Sequence, residues 1–141
     1  MKLTRYLADT SAVVRLGRDE DLRSAWRQQF AAGLIAVCPI TQLEIFYGAR
    51  SKSELGKVGR ALDVAYTWVV MPDRVFERAL SVQESLVHRG VHRSAGPVDL
   101  VVAATAEAHG LTLLHYDADF LQVAEVTGQS TRWVADPGSV A

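Results

Sequence analysis

The chain has 141 residues, of which 49% are hydrophobic and 22% charged, and its formal net charge at pH 7 is −1. The length and composition indicate a single globular domain spanning residues 1–141, and the near-neutral charge argues against a general nucleic-acid-binding protein. Twelve of the fifteen basic residues are arginines, which bind phosphate bidentately. If five acids were committed to a metal ion, the rest of the chain would carry +4. The total charge therefore permits a basic rim around an acidic site.

Two further features predict the cellular compartment. No apolar run reaches the roughly 18 residues of a membrane-spanning helix, and the start, MKLTRYLADT, turns polar too early for a signal peptide. Cys38 is the single cysteine, so no intrachain disulfide is possible, and its apolar neighbours predict a buried residue rather than a reactive thiol. We expect a cytoplasmic protein with no membrane segment.

The first half of the chain alternates short apolar runs with helical patterns. Thr10 and Ser11 favour the start of a helix, Gly33 ends one, and Pro39 interrupts an apolar run. The predicted elements are a strand at Arg5–Asp9, a helix from about Thr10, a turn at Asp19–Asp21, a helix at Leu22–Ala32, a strand at Leu34–Cys38, and helices at Thr41–Arg50 (with Leu43, Ile45, Phe46 and Ala49 inward) and Glu54–Ala65.

The second half continues this alternation. TWVVM at Thr67–Met71 is continuously apolar, which is typical of a strand covered on both faces. Pro97 suits a first helical turn, where its missing N–H is not needed. The predicted elements are the Thr67–Met71 strand, a helix at Val75–His88 with Phe76, Ala79, Leu80 and Leu86 on its apolar face, a loop at Gly90–Gly96, a helix from Pro97, a strand at Leu111–His115, a helical turn at Leu121–Val126 and a strand at Arg132–Ala135.

This alternation predicts an α/β fold with a mainly parallel sheet and helices on both sides. In such sheets, functional groups collect beyond the carboxyl ends of the strands. Asp9 follows one predicted strand, and Asp117 and Asp119 follow another. Asp99 lies at a helix start that faces the same edge of the sheet.

Each acid also has a purely structural interpretation. Asp9 would cap the following helix, and Asp99 would interact with the dipole of its own helix. Glu44 would complete a capping box with Thr41. Asp117 and Asp119 would be turn residues, anchored by Phe120 below them.

Convergence of these acids on one edge would require a counter-charge. Two carboxylates about 5 Å apart repel by roughly 3 kcal/mol at an effective dielectric near 20. Mg²⁺ or Mn²⁺ relieves this repulsion, since both prefer oxygen ligands, and such an ion activates water for phosphodiester hydrolysis. The absence of His and Cys from the set argues against zinc.

Four segments, in their order and spacing, resemble the PIN-domain ribonucleases, and more closely the VapC-type toxins of bacterial toxin–antitoxin pairs. These segments are DTSA (Asp9–Ala12), QLEIFYGAR around Glu44, VDLVVAATA (Val98–Ala106) and DADF (Asp117–Phe120). The resemblance covers essentially the whole chain. It implies that Asp9, Glu44, Asp99 and Asp117 form an acidic metal-binding quartet, with Asp119 as an additional acid and Ser11 as a supporting hydroxyl.

The family resemblance also implies a fold, a reaction and partners. The fold would be a three-layer α/β/α domain around a mainly parallel sheet. The reaction would be Mg²⁺- or Mn²⁺-dependent endoribonuclease cleavage that leaves a 5′-phosphate and a 3′-hydroxyl. The partners would be an RNA substrate, a second copy in a homodimer, and a VapB-type antitoxin bound in a heterotetramer or larger assembly.

Three arginines are candidates for binding the substrate backbone. Arg15 lies one helical turn past Ser11, and either binds a phosphate or lies on a solvated helix face. Arg89 and Arg93 flank the loop before Asp99, and either contact RNA or form an ordinary helix end. His115 is expected to be a strand-end residue rather than a general base.

Two other functional classes stay open at this point. A receiver domain or an Asp-nucleophile phosphatase also gathers carboxylates at a sheet edge, but needs a lysine near the phosphate. The lysines here are Lys2, Lys52 and Lys57, none of which is at a late strand end, and Ser11 occupies the position of the phosphatase's second Asp. A non-catalytic RNA- or partner-binding module of PIN type is the other alternative, disfavoured by intact acids at every quartet position.

Overall fold

The computed structural model describes residues 4–141. The first three residues of MKLTRYLADT, the segment predicted not to be a signal peptide, lie outside the described residues. Its sheet has the strand order β3-β2-β1-β4-β5, and all neighbouring strands are parallel. The strands are β1 Tyr6–Ala8, β2 Ile35–Val37, β3 Thr67–Trp68, β4 Thr112–His115 and β5 Thr131–Trp133. The predicted parallel α/β architecture is confirmed.

Eight helices connect these strands within residues 4–141. They are α1 Thr10–Arg18, α2 Glu20–Ala25, α3 Arg27–Ala31, α4 Pro39–Tyr47, α5 Lys52–Ala65, α6 Val75–His88, α7 Pro97–Ala108 and α8 Asp119–Thr127. None of the helices in this part of the chain has the length and apolar character needed to cross a membrane.

The sheet separates two hydrophobic cores because successive side chains of a strand point to opposite faces. Leu7 and Leu113 pack on the face covered by α6, α7 and α8, whereas Ala8 and Leu114 pack on the face covered by α1, α2 and α5. This arrangement forms the three layers, helix–sheet–helix, that the family resemblance implied. Cys38 is fully buried in the first core, as predicted.

Helix α7 is the most deeply buried helix and fixes the position of Asp99. Its seven consecutive residues from Leu100 to Ala106 are all buried, because α6, α8 and β4 pack around it. Gly96 precedes the helix in an extended conformation, and Pro97 occupies its first position, as predicted. Asp99 therefore stands in the first turn of a rigidly packed helix.

The prediction of a doubly covered strand at Thr67–Met71 is wrong. Only Thr67 and Trp68 pair with β2, and β3 lies at the edge of the sheet. Trp68 is 44% exposed and Val70 is 72% exposed. The apolar run resembles a central strand, but β3 has a neighbour on one side only, and the segment leaves the sheet after Val69, whose N–H donates to the Val37 carbonyl at 3.2 Å.

The predicted helix at Leu22–Ala32 is interrupted. Trp26 ends α2 with a backbone at φ −100° and ψ 9°, and α3 begins immediately after it. The Trp26 ring is buried, and its N–H donates to the Val134 carbonyl at 2.9 Å, so this tertiary contact coincides with the break. At the other end of the chain, the predicted helical turn at Leu121–Val126 is a full helix, α8, and the last strand ends at Trp133 rather than Ala135.

Three apolar side chains predicted to face the core are exposed. Leu43 on α4 is 68% exposed, and Phe76 and Leu80 on α6 are each 64% exposed. Ala79 and Leu86, which were predicted for the same apolar face of α6, are buried, together with Val75 and Val82. The apolar positions of α6 cover more than one face, so periodicity alone did not identify which face meets the sheet.

Candidate active site

The acids gather where the strand order of the sheet reverses. From β1 the chain builds β2 and β3 on one side and β4 and β5 on the other, so the crevice between β1 and β4 is a topological switch point. Asp9 directly follows β1, and its backbone N–H donates to the Leu114 carbonyl of β4 at 3.0 Å. Asp117 lies two residues beyond the end of β4. These two acids therefore flank the crevice.

Asp9 is the N-cap of α1, as its structural interpretation predicted. Its Oδ1 accepts hydrogen bonds from the Ser11 hydroxyl at 2.7 Å and from the Ala12 N–H at 3.1 Å. The residue is only 4% exposed. Burial raises the pKa of the Asp9 carboxyl from 3.8 to about 6, although these hydrogen bonds oppose the shift. The role of Asp9 as an N-cap therefore explains its hydrogen bonds, but it does not explain why the carboxylate is almost completely shielded from water.

Ser11 joins the two sides of the crevice. The hydroxyl that donates to Asp9 also accepts the backbone N–H of Tyr116 at 2.8 Å. Tyr116 lies between the end of β4 and Asp117. One side chain therefore fixes the Asp9 carboxylate relative to the Asp117 turn.

The capping box predicted for Glu44 is wrong. Helix α4 begins at Pro39 with Cys38 as its N-cap, so Thr41 is inside the helix and fully buried. The Glu44 Oε1 instead accepts a hydrogen bond from the Thr10 hydroxyl at 2.5 Å. Because Thr10 directly follows Asp9, this bond connects α4 to the crevice.

Asp99 interacts electrostatically with acids from two other segments, α4 and the turn after β4. Its Oδ2 accepts the Gly96 N–H at 3.1 Å, as expected for an acid in a first helical turn. Burial raises the pKa of Asp99 above 3.8, the Gly96 bond opposes this shift, and the charges of Asp117, Glu44 and Asp119 raise the pKa further. These carboxylates, which are distant in sequence, are therefore near enough to repel one another.

Asp117 and Asp119 form the turn between β4 and α8. The Asp117 Oδ1 accepts the Asp119 N–H at 2.9 Å, and Phe120 is fully buried below the turn. Partial burial and then the neighbouring Asp117 raise the pKa of Asp119. His115 is a buried strand-end residue, as predicted, and its Nδ1 accepts the Asp117 N–H at 3.2 Å. Burial lowers the pKa of His115, although the charge of Asp117 opposes the shift.

No basic side chain neutralises these acids in the part of the chain that the structure describes. The ion pairs found there use other acids, namely Glu54, Glu77, Glu84, Glu107 and Glu125. As the side chains stand, no three acidic, His or Cys groups among residues 4–141 are arranged to hold one metal ion. The set consists entirely of carboxylates without a cationic partner among these residues, and burial raises the pKa of three of them, Asp9, Asp99 and Asp119. Such a set suits a divalent ion that prefers oxygen.

Comparison with known proteins identifies the family. The PIN domain family matches residues 6–126. The chain belongs to the PIN domain family. Ribonuclease VapC21 of Mycobacterium tuberculosis (strain ATCC 25618 / H37Rv) is 40% identical over 136 residues, covering 96% of this chain and 98% of the relative. Ribonuclease VapC51 of the same strain is 39% identical over 136 residues, covering 96% and 97%.

Solved structures agree with this assignment at the level of the fold. The crystal structure of DNA bound VapBC from Salmonella typhimurium matches this PIN domain with a TM-score of 0.78 at 17% identity, covering 94% of this chain and 99% of that chain. The crystal structure of VapBC2 from Rickettsia felis bound to a DNA fragment matches with a TM-score of 0.76 at 17% identity, covering 92% and 98%. The resemblance inferred from the four sequence segments is confirmed.

The candidate substrate arginines of this PIN domain have different environments. Arg15 is partly buried, and its guanidinium carbon lies 4.9 Å from the centroid of the Tyr116 ring. Arg89 follows α6 and forms an exposed ion pair with Glu125 of α8 at 3.3 Å, which favours the helix-end interpretation. Arg93 is exposed in the loop before α7.

Two residues of the site were not identified from sequence. Thr10 was interpreted only as a helix-start residue, and Tyr116 was not singled out. Each acts through a contact with a residue far away in the chain: Thr10 with Glu44 and Tyr116 with Ser11. The sequence offered one signal, the position of Thr10 directly after Asp9. Because the Asp9 carboxylate caps α1, the Thr10 hydroxyl is not needed as a cap and can bond to another residue.

An apolar groove of about 840 Å³ runs between α1, α4 and α5. Val13, Val14 and Leu62 contribute to its lining, and Thr10 and Glu44 also border it. The groove of this PIN domain therefore reaches the Thr10–Glu44 hydrogen bond.

Proposed function

We propose that this PIN domain is a metal-dependent endoribonuclease and the toxin of a type II toxin–antitoxin pair. The observation that carries the proposal is the cluster of interacting carboxylates, without basic partners in residues 4–141, at the switch point of the sheet. The names of the VapC ribonuclease relatives support the choice of RNA as substrate.

Four acids form the proposed metal-binding and catalytic quartet. These are Asp9, Glu44, Asp99 and Asp117, with Asp119 as an additional metal ligand and Mg²⁺ or Mn²⁺ as the ion. When bound, such an ion activates a water molecule and neutralises charge at the scissile phosphate. The RNA product ends would be a 5′-phosphate and a 3′-hydroxyl.

The neighbouring groups of the chain orient these carboxylates. Ser11 holds Asp9, Thr10 holds Glu44, and the Gly96 N–H holds Asp99. Each bond leaves the second carboxylate oxygen of its acid available to a cation. Preorganisation of this kind positions the acids before substrate binds.

Basic residues near the crevice would bind the substrate backbone. We assign Arg15, Arg89 and Arg93 to this role. Arg89 would have to exchange its exposed Glu125 partner for a phosphate, which is feasible because exposed ion pairs are weak. Replacing Arg89 and Arg93 together should weaken RNA binding evenly across sequences and reduce its salt dependence. An unchanged salt dependence would remove both from the proposal.

The proposed partners follow from the toxin assignment. They are RNA, a second copy of the chain in a homodimer, and a VapB-type antitoxin in a heterotetramer or larger complex, all in the cytoplasm. The apolar groove beside Glu44 would hold an apolar segment of the antitoxin, so that the adjoining part of that protein reaches the acids. Val14→Glu should therefore abolish protection by the antitoxin, and retained protection would exclude the groove.

The phosphotransfer alternative fits the structure poorly. The strand order here is 3-2-1-4-5, whereas receiver domains have the order 2-1-3-4-5. Labelling of Asp9 by acetyl phosphate would be the positive result for that alternative. The non-catalytic alternative is tested directly by assaying cleavage.

The test of the enzyme proposal uses purified protein, Mn²⁺ and total RNA. We expect discrete fragments ending in 5′-phosphate, abolished by a chelator and by Asp9→Asn or Asp99→Asn. Asp19→Asn is the matched control, because Asp19 caps α2 through the Leu22 N–H and lies outside the proposed quartet. Cleavage that persists in both test variants would contradict the proposal.

The toxin role has a separate test. Induced expression should arrest bacterial growth, and co-expression of the small protein encoded beside it should relieve the arrest. Normal growth at confirmed high expression would leave the enzyme proposal intact and exclude the toxin role.

A further inference from the structure

Arg15 is held in place without a hydrogen-bonding partner for its charged group. Its guanidinium packs on the Tyr116 ring at 4.9 Å from the centroid, and its Nε is buried with no acceptor. No carboxylate lies within ion-pairing distance of it in the region from residue 4 to residue 141. A cation that is fixed and partly desolvated but unpaired is well suited to bind an anionic ligand.

Two exposed arginines that lie against the protein form hydrogen bonds with it. Arg132 stacks on Trp26 at 4.4 Å and also donates to the Tyr6 hydroxyl at 2.8 Å. Arg23 donates to the carbonyl of Leu16 at 2.9 Å. Arg132 thus combines stacking with a hydrogen bond and Arg23 has hydrogen bonds, whereas among residues 4–141 Arg15 has only its packing on Tyr116.

The position of Arg15 relates it to the acidic crevice. It lies one helical turn after Ser11, whose hydroxyl bonds both Asp9 and the Tyr116 N–H. The Tyr116 hydroxyl is in turn fixed by the backbone of Val140, with which it exchanges hydrogen bonds at 3.2 Å. The aromatic surface under Arg15 is therefore anchored at both ends, directly before Asp117.

We propose that Arg15, packed on the Tyr116 ring, binds a backbone phosphate of the RNA strand beside the scissile phosphate and so sets the register of the strand in the crevice. The inference rests on the proposed ribonuclease function and extends it from a candidate arginine to an Arg15–Tyr116 phosphate clamp. The planar guanidinium offers several donors in a fixed plane, which match phosphate oxygens. A negative crevice repels RNA, so a fixed cation at its edge favours entry of the strand.

The test compares Arg15→Gln with Arg5→Gln. Arg5 is exposed and directly precedes β1, whereas Asp9 follows the other end of that strand. Arg5→Gln therefore makes the same change of charge away from the acids. Binding of a short fluorescein-labelled single-stranded RNA is measured by anisotropy over a range of salt concentrations. It is measured in the non-cleaving Asp99→Asn background, and thermal unfolding verifies that each variant is folded.

We expect Arg15→Gln to weaken RNA binding about tenfold and to reduce the slope of log affinity against log salt by about 0.7, the value for one phosphate of a single strand. Arg15→Lys should restore the salt slope but only part of the affinity, because the ammonium cannot stack or bind in a fork. Arg5→Gln should change neither quantity comparably.

Tyr116 provides the second arm of the test. Tyr116→Phe keeps the ring, so it should retain the effect of Arg15, whereas Tyr116→Leu should weaken binding and make Arg15→Gln nearly neutral in the double variant. Equal affinities and slopes for Arg15→Gln and Arg5→Gln, or no RNA binding in this background, would overturn the clamp. Failure of the ribonuclease proposal is distinguishable, because it appears as a lack of metal-dependent cleavage by the unmutated protein.

Discussion

The Thr10 hydroxyl donates a hydrogen bond to the Glu44 carboxylate at 2.5 Å, from the first residue of α1 to the middle of α4. The bond crosses 34 positions of sequence and links the segment after β1 to the helix after β2. Glu44 is exposed, so a hydrogen bond to its carboxylate restricts a side chain that would otherwise be free to rotate. Thr10 therefore orients the one quartet acid that comes from α4.

Thr10→Val should lower RNA cleavage about tenfold, because it removes a hydrogen bond to a charged group and keeps the shape of the side chain. Thr10→Ser retains a hydroxyl and should recover most of the activity. The measurement is kcat/KM on one RNA substrate at saturating Mn²⁺. Wild-type activity in the valine variant would show that this bond has no role in catalysis.

Asp9→Asn should stabilise the metal-free protein at neutral pH. Burial raises the pKa of Asp9 in the folded state from 3.8 to about 6, so the folded state binds the proton more tightly than the unfolded state. The resulting stabilisation is complete below pH 3.8 and is lost as the pH rises through 6. From about pH 4 to pH 7, wild type should lose about 2 kcal/mol of unfolding free energy relative to Asp9→Asn.

Urea unfolding with a chelator present measures this difference. Asparagine is also a good N-cap, so the substitution removes the charge while keeping the cap. Asp19→Asn provides the control, because Asp19 is likewise an N-cap but lies outside the cluster. The same pH dependence in wild type and Asp9→Asn would contradict the assigned environment of Asp9.

Ser11→Ala should destabilise the fold by about 1–3 kcal/mol, because the partly buried Tyr116 N–H loses its acceptor and Asp9 loses a donor. Ser85→Ala is a matched control on α6, where the hydroxyl makes one exposed bond at 3.3 Å to the preceding turn. That change should stay within about 0.5 kcal/mol. Chemical unfolding of both variants decides the matter, and equal small effects would mean that Ser11 does not join the two sides of the crevice.

Local patterns were enough to predict where most acids lie. Asp9 and Asp117 follow short apolar runs that could be recognised as strands, and parallel strands place their carboxyl ends at one edge. Pro97 marked the start of the helix that carries Asp99. The sheet, its two covered faces and the family followed from the same short-range signals.

Contacts between distant segments could not be predicted in this way. The bond from Thr10 to Glu44 and the packing of Arg15 on Tyr116 depend on how helices and strands are placed in space. The Thr41–Glu44 pair has the spacing of a capping box, but the helix begins two residues earlier, at Pro39. For the same reason, the apolar character of Thr67–Met71 did not reveal that β3 is an edge strand.

Binding of Mn²⁺, followed by the loss of the free-ion electron paramagnetic resonance signal, tests the proposed metal site most directly. The protein should bind Mn²⁺, and Asp99→Asn should weaken that binding at least tenfold, because Asp99 interacts with acids from α4 and from the turn after β4. Asp19→Asn should bind Mn²⁺ as the wild type does. Equal Mn²⁺ affinity in the wild type and Asp99→Asn would contradict a metal site built from these carboxylates.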